Sequence, residues 1–69
     1  MTEQVAREEL ALCLCQPEPL AAARRWADLA DNDSQLAEQV RALLIEHTLG
    51  QRQPHQTVAE LHRMSRGEP

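Results

Sequence analysis

Three short helix-breaking segments divide this chain and constrain its fold more than any other feature. Pro17-Glu18-Pro19 is the first, because proline is tolerated in the first turn of a helix but not in its interior. The second is Asn32-Asp33-Ser34, whose short polar side chains favour turns and helix N-caps. The third runs from Gln51 to His55 and follows Gly50, a residue suited to a helix C-cap. Each stretch between these breaks is long enough for one helix.

The composition of those stretches favours helix over strand. Leu, Ala, Arg, Glu and Gln dominate them, whereas the chain has one Trp and no Phe or Tyr. Thr57-Val-Ala-Glu60 fits the capping-box pattern and predicts the start of a last helix. We therefore predict an all-α fold, a small bundle of three longer helices plus one short C-terminal helix, in a single domain 1–69. The helices are expected at about 2–16, 19–31, 34–49 and 57–66.

The apolar patterns predict which helix faces are buried. The stretch from Leu10 to Cys15 is apolar on nearly every side, which indicates burial between neighbours. The second helix is expected to turn an alanine-rich face inward. This face carries Leu20, Ala23, Ala27 and Ala30. The principal face of the third helix is formed by Leu36, Val40, Leu43, Leu44 and His47. A second, weaker apolar face of that helix carries Ala42, Ile45 and Leu49, and a stacked homodimer would bury it.

Charge and length limit the classes of partner. The net charge is −4 and all seven basic residues are scattered arginines, so no clustered basic face for nucleic acid is expected. The longest apolar stretch is too short to span a bilayer, and acidic rather than basic residues precede it. We therefore expect a cytoplasmic protein with no membrane association and with reduced thiols. A chain of 69 residues has a modest core, which favours a protein that works by docking on another.

Cysteine and histidine are the residues that could bind a metal. Cys13 and Cys15 point about 200° apart on a helix, and zinc generally requires four ligands. Buried structural thiols are the favoured interpretation. His47 is expected to be a hydrogen-bonded core residue, His55 to lie in a connecting loop, and His62 to lie on a solvated flank. We predict no metal and no cofactor.

Nothing in the sequence indicates catalysis. The serines, Ser34 and Ser65, lie in cap or tail contexts, outside any G-x-S-x-G elbow. Glu8 and Glu9 are neighbouring acids with no expected pocket to tune them, and no glycine-rich phosphate loop is present. The chain is therefore predicted to be a non-enzyme without catalytic residues.

The segment Leu12-Cys-Leu-Cys-Gln-Pro-Glu-Pro-Leu-Ala21 resembles part of a known family. Bacterial primases of the DnaG type carry a C-terminal helical region in which a Leu-rich helix runs into an Asn/His-Pro-Glu-Leu-Ala turn. Gln16-Pro17-Glu18-Pro19-Leu20-Ala21 is similar to that turn, with one extra proline. The resemblance continues, in order, through Ala27-Asp-Leu29, Val40-Arg-Ala-Leu-Leu44, Gln53-Pro54 and Thr57-Val-Ala-Glu-Leu61, and so covers most of residues 7–66.

The resemblance implies a helical module that docks on a replicative helicase. The primase catalytic and zinc-binding domains are absent from this sequence, and we expect the family's terminal helical hairpin to be missing as well. The alternative is a small bacterial regulatory binder that sequesters a toxin, regulator or secretion subunit, as an antitoxin, anti-activator or co-chaperone does. A thiol/histidine metal protein and a DNA-binding helix–turn–helix are further alternatives.

Three residues on the second helix are the predicted protein-binding residues. Trp and Arg are the residue types that dominate binding hot spots, which points to Arg25, Trp26 and Leu29. Trp26 has a second interpretation as the aromatic anchor of the core, and the core interpretation is favoured.

Overall fold

The fold is all-α, as predicted, in a computed structural model that describes residues 2–29 and 31–67. Four helices follow one another in the order α1 (Glu3–Leu14), α2 (Pro19–Ala27), α3 (Gln35–Thr48) and α4 (Pro54–Ser65), and no strand occurs within those ranges. Their lengths are 12, 9, 14 and 12 residues, so the shortest helix is α2 and not the last. None of these helices is long and apolar enough to cross a membrane.

Helix α1 is bounded by a threonine cap and by the proline segment. The Thr2 hydroxyl oxygen accepts a hydrogen bond from the Val5 backbone N–H at 3.2 Å, as expected of an N-cap. The helix ends at Leu14, two residues earlier than predicted. The residue before a proline is disfavoured in helical conformation, so Pro17 keeps the helix from extending.

Helix α2 ends at Ala27, four residues earlier than predicted, because a buried asparagine forms the following turn. The Asn32 Nδ2 group donates to the backbone carbonyl of Trp26 at 3.0 Å, and its Oδ1 accepts from the Ser34 hydroxyl at 2.8 Å. The Ser34 Oγ in turn accepts from the first turn of α3, which confirms the predicted turn and N-cap. Ala30, which the pattern placed on the inner face, lies outside the described residues.

A glycine closes α3. Gly50 has φ +80°, a conformation that residues with a Cβ rarely adopt. Its N–H donates to the carbonyl of His47, and the N–H of Gln51 donates to the carbonyl of Glu46, both at 3.0 Å. This pair of hydrogen bonds is the Schellman motif, and it agrees with the predicted C-cap role of Gly50.

Helix α4 starts earlier than predicted, which is why it is not short. Its first residue is Pro54. Proline is tolerated at the first helical position because a backbone N–H there would have no intrahelical partner. The backbone N–H of Gln53 donates to the Gln56 side chain at 3.0 Å. Thr57, which the sequence pattern assigned as the cap, instead lies inside the helix, fully buried, with its hydroxyl bonded to the Gln53 carbonyl. The predicted capping box at Thr57 is therefore wrong.

The core draws on all four helices, and α1 packs against each of the other three. Its buried cluster comprises Ala6, Leu10, Leu14, Ala23, Trp26, Ala27, Leu36, Ala37, Val40, Leu43, Leu44 and Leu61. The alanines allow α2 to approach its neighbours closely. The prediction that the end of α1 is buried on nearly every side is wrong at three positions, because Leu12 is 67% exposed and Ala11 and Cys15 are also exposed. These exposed positions share one face of α1 at spacings of three and four residues, and that face is turned away from the core side formed by Ala6, Leu10 and Leu14.

Candidate protein-binding surface

Most of the core-forming side chains are well covered, but a few large apolar ones are not. The exposed group comprises Val5, Leu12, Leu29, Ile45 and Leu49. Ile45 of α3 is 60% exposed, and Leu49, the C-cap residue that follows this helix, is 67% exposed; their spacing of four residues places them on one face. This is the second, weaker apolar face that the sequence predicted for the third helix.

A groove between α2 and α3 contains both residues. It encloses about 330 Å³, and we call it the α2/α3 groove. Its lining residues are Arg24, Asp28, Arg41, Leu44, Ile45, Thr48 and Leu49. The apolar part of the lining consists of the buried Leu44 and the exposed Ile45 and Leu49. The charged side chains of the lining come from both helices.

Two arginines cross from one helix to the other beside the groove. Arg24 of α2 donates from Nη2 to the Thr48 hydroxyl of α3 at 2.9 Å, and that hydroxyl donates to the Leu44 carbonyl. Arg41 of α3 donates from Nη1 to the carbonyl of Ala27, the last residue of α2. These two hydrogen bonds hold the groove's helices against each other.

Neither arginine is neutralised by an acid of the described chain. The ion pairs found among residues 2–29 and 31–67 are Arg52–Glu46 and Arg63–Glu60, both outside the groove. Asp28 is the single acid of the groove's lining. The lining therefore carries one more positive than negative charge, although the chain as a whole carries −4.

The predicted binding residues do not form one exposed surface. Trp26 is only 6% exposed, which agrees with the core interpretation, and its Nε1 donates to the Glu9 carboxylate of α1 at 2.9 Å. Arg25 is exposed, and Leu29 is 53% exposed beyond the end of α2. None of the three lines the α2/α3 groove. A binding role for Arg25, Trp26 and Leu29 stays a prediction.

The groove was only partly visible in the sequence. The apolar spacing of Ile45 and Leu49 was the available signal. The positions of Arg24 and Arg41 beside them depend on how α2 packs on α3, which no local pattern records.

No protein family model, curated protein or solved structure matches this chain. The likeness to the primase C-terminal region therefore stays an expectation based on the residues quoted above.

The two cysteines differ in environment. Cys13 is partly buried against the core, and burial raises the pKa of its thiol above the ordinary value. The nearby Glu9 carboxylate raises that pKa further, whereas the Arg25 guanidinium and a backbone hydrogen bond oppose the shift. Cys15 is exposed, so the buried-thiol interpretation is wrong for it, because it caps the end of α1 next to solvent.

The histidines do not gather into a metal site. His47 is half-buried, with its Nδ1 3.3 Å from the Thr57 hydroxyl, as expected of a hydrogen-bonded residue between helices. His55 lies in the first turn of α4 and not in a loop, while His62 lies on an exposed flank as predicted. Within the part of the chain that is described, no three His, Cys, Asp or Glu side chains are grouped to hold a metal ion.

A second cleft, between the end of α3 and α4, is larger but more polar. It encloses about 610 Å³, and its charged residues are largely paired. Arg52 bonds Glu46 at 3.0 Å, and Arg63 bonds Glu60. Because these charges satisfy one another, the cleft offers less to a partner than the α2/α3 groove does.

Proposed function

We propose that this protein is a small, non-enzymatic protein-interaction module that binds its partner in the α2/α3 groove. The observation that carries the proposal is the exposure of Ile45 and Leu49, side by side over a buried leucine. Burying what remains exposed of these two side chains would contribute about 2–4 kcal/mol. An apolar surface next to charged groups is typical of an interface whose centre is apolar and whose rim is polar.

The groove's lining supports binding over catalysis. It includes no cysteine, histidine or serine, and its one acid, Asp28, is exposed. Its one hydroxyl group, that of Thr48, donates to the Leu44 carbonyl and accepts from Arg24, so it is not poised as a nucleophile or as a general acid or base. The lining offers arginines and aliphatic side chains instead, which are recognition groups.

The resemblance to primase C-terminal regions makes a bacterial replicative helicase the first partner to test, in the cytoplasm. A toxin, a transcriptional regulator or a secretion subunit is the partner expected if the chain is a dedicated regulatory binder. The groove suits any of these, because it supplies a generic apolar contact with a charged edge.

Affinity purification from the native host tests the proposal with a matched pair of variants. Leu49 and Leu12 are both 67% exposed and lie near the ends of their helices, but only Leu49 lines the groove. We expect Leu49→Gln to lose the partner that the wild-type protein captures, and Leu12→Gln to retain it. Mass spectrometry would identify the partner. Equal capture by both variants would refute the groove as the binding surface.

A further inference from the structure

We propose that the partner segment bound in the α2/α3 groove is an acidic amphipathic helix, with two apolar side chains one turn apart and flanking Asp or Glu residues. The inference rests on the proposed function and adds the chemistry of the partner. Its basis is the combination of an apolar stripe with two arginines that lack an acidic partner in the described chain.

The apolar part of the groove fits the spacing of a helical ligand. Ile45 lies on α3 and Leu49 is its C-cap residue one turn later, which separates them by about 6 Å along the helix axis. Helices that bind in grooves present their anchor side chains at intervals of three or four residues. A helix lying along α3 could therefore place one anchor against each of these side chains.

The charged part of the groove favours a ligand of negative charge. The guanidinium groups of Arg24 and Arg41 each make one described hydrogen bond, to the neutral oxygens of Thr48 and Ala27. A guanidinium has five N–H donors, so each retains donors and its full charge for a further acceptor. Carboxylates are the acceptors that match this fork, because they can pair with it bidentately. A basic segment would instead meet two like charges.

Charge also argues against a second copy of this chain as the occupant. In a two-fold homodimer the same patch faces itself, so the arginines of one copy would approach those of the other. Asp28 could offset only part of that charge. An acidic helix from a different protein avoids the clash of arginines.

Fluorescence anisotropy with defined peptides tests the inference. The probe is a labelled synthetic peptide of about four helical turns with leucines at i and i+4 and flanking glutamates. One control peptide replaces the glutamates with lysines, and a second keeps the glutamates but replaces the leucines with glutamines. We expect the acidic leucine peptide to bind at least about tenfold more tightly than either control, and its affinity to fall as salt rises.

Two arginines on different helices provide the matched protein variants. Arg24→Gln removes a charge from the groove, whereas Arg63→Gln removes one from α4, outside the groove. We expect Arg24→Gln to weaken binding of the acidic peptide by about threefold to tenfold, and Arg63→Gln to leave it nearly unchanged. Circular dichroism melting would establish that both variants fold. Equal effects of the two substitutions would overturn the inference.

The remaining outcomes separate this inference from the proposed function. If the acidic and basic leucine peptides bind equally and Leu49→Gln weakens both, the groove binds helices but does not select acidic ones. If neither peptide binds while partner capture still depends on Leu49, the acidic helix is wrong and the interaction function stands. If capture does not depend on Leu49, both fail. Sedimentation showing a dimer that Leu49→Gln dissociates would assign the groove to a second copy and overturn the inference.

Discussion

Truncation of Leu61 to alanine tests whether α4 is part of the same core as the other helices. The Leu61 side chain is fully buried and belongs to the core cluster, as does the fully buried Leu10 of α1. Replacing a buried leucine with alanine removes its transfer free energy and leaves a cavity, which together cost about 3–5 kcal/mol. A domain of this size rarely has a net stability above about 3–5 kcal/mol. Leu61→Ala should therefore leave the protein close to half unfolded, or worse, at 25 °C.

Urea and thermal unfolding measure this effect. Far-ultraviolet circular dichroism follows the helices, and the fluorescence of Trp26 follows the core, since it is the single tryptophan. We expect the free energy of unfolding to fall by at least about 3 kcal/mol, which corresponds to a decrease in Tm of about 12–24 °C for a domain of this length. The two probes should give one transition.

Leu12→Ala is the matched control, because it deletes the same atoms from an exposed position. It should change the free energy of unfolding by no more than about 0.5 kcal/mol. The opposite outcome is that Leu61→Ala costs less than about 1 kcal/mol, or that the two substitutions have the same effect. In either case α4 would not pack into the core as described.

Three further perturbations have defined outcomes. Ser34→Ala should lower the free energy of unfolding by about 1 kcal/mol in urea titration, because the Ser34 hydroxyl caps α3 by accepting from the Ala37 N–H at 3.1 Å; no loss would mean that the cap is not formed. Gly50→Ala should cost about 1–2 kcal/mol in thermal unfolding. The cause is its φ of +80° and not crowding, since the added Cβ would meet nothing within 4 Å, so an unchanged Tm would argue against that backbone conformation. In single-cysteine variants, Cys15 should react with a thiol reagent faster than Cys13, which is partly buried. Because the pKa of Cys13 is raised, less of it is thiolate at any pH below that pKa. The reaction rate of Cys13 should therefore level off at a more alkaline pH than the rate of an ordinary thiol. A pH–rate profile with the midpoint of an ordinary thiol would contradict the raised pKa.

The number of helices was predictable, whereas the start of α4 and the end of α2 were misplaced. The proline, asparagine and glycine breaks are local signals, and they separate four helices in the structure as the sequence indicated. The start of α4 was misplaced because Thr57 matches a capping pattern, whereas the helix begins at Pro54 and its capping box is formed by Gln53 and Gln56. The early end of α2 depends on a tertiary contact, the buried side chain of Asn32 bonding back to Trp26.

The candidate surface was also predictable only in part from the sequence. The apolar spacing of Ile45 and Leu49 is periodic and could be read from the sequence. Arg24 is 17 residues before Arg41 in the chain, and nothing local indicates that the two share a groove. Trp26 was favoured as a core residue while also being named as an interface residue, because residue type alone does not determine which side of α2 faces α1.

The arginine links between α2 and α3 have a consequence for the kinetics of binding. Arg24 and Arg41 link the two helices by hydrogen bonds in the free protein, so the groove is already formed when a partner binds. The loss of conformational entropy on binding then falls mainly on the partner segment. Association should be governed by diffusion and by the attraction of opposite charges, and substitutions in the apolar stripe should act mainly by shortening the lifetime of the complex.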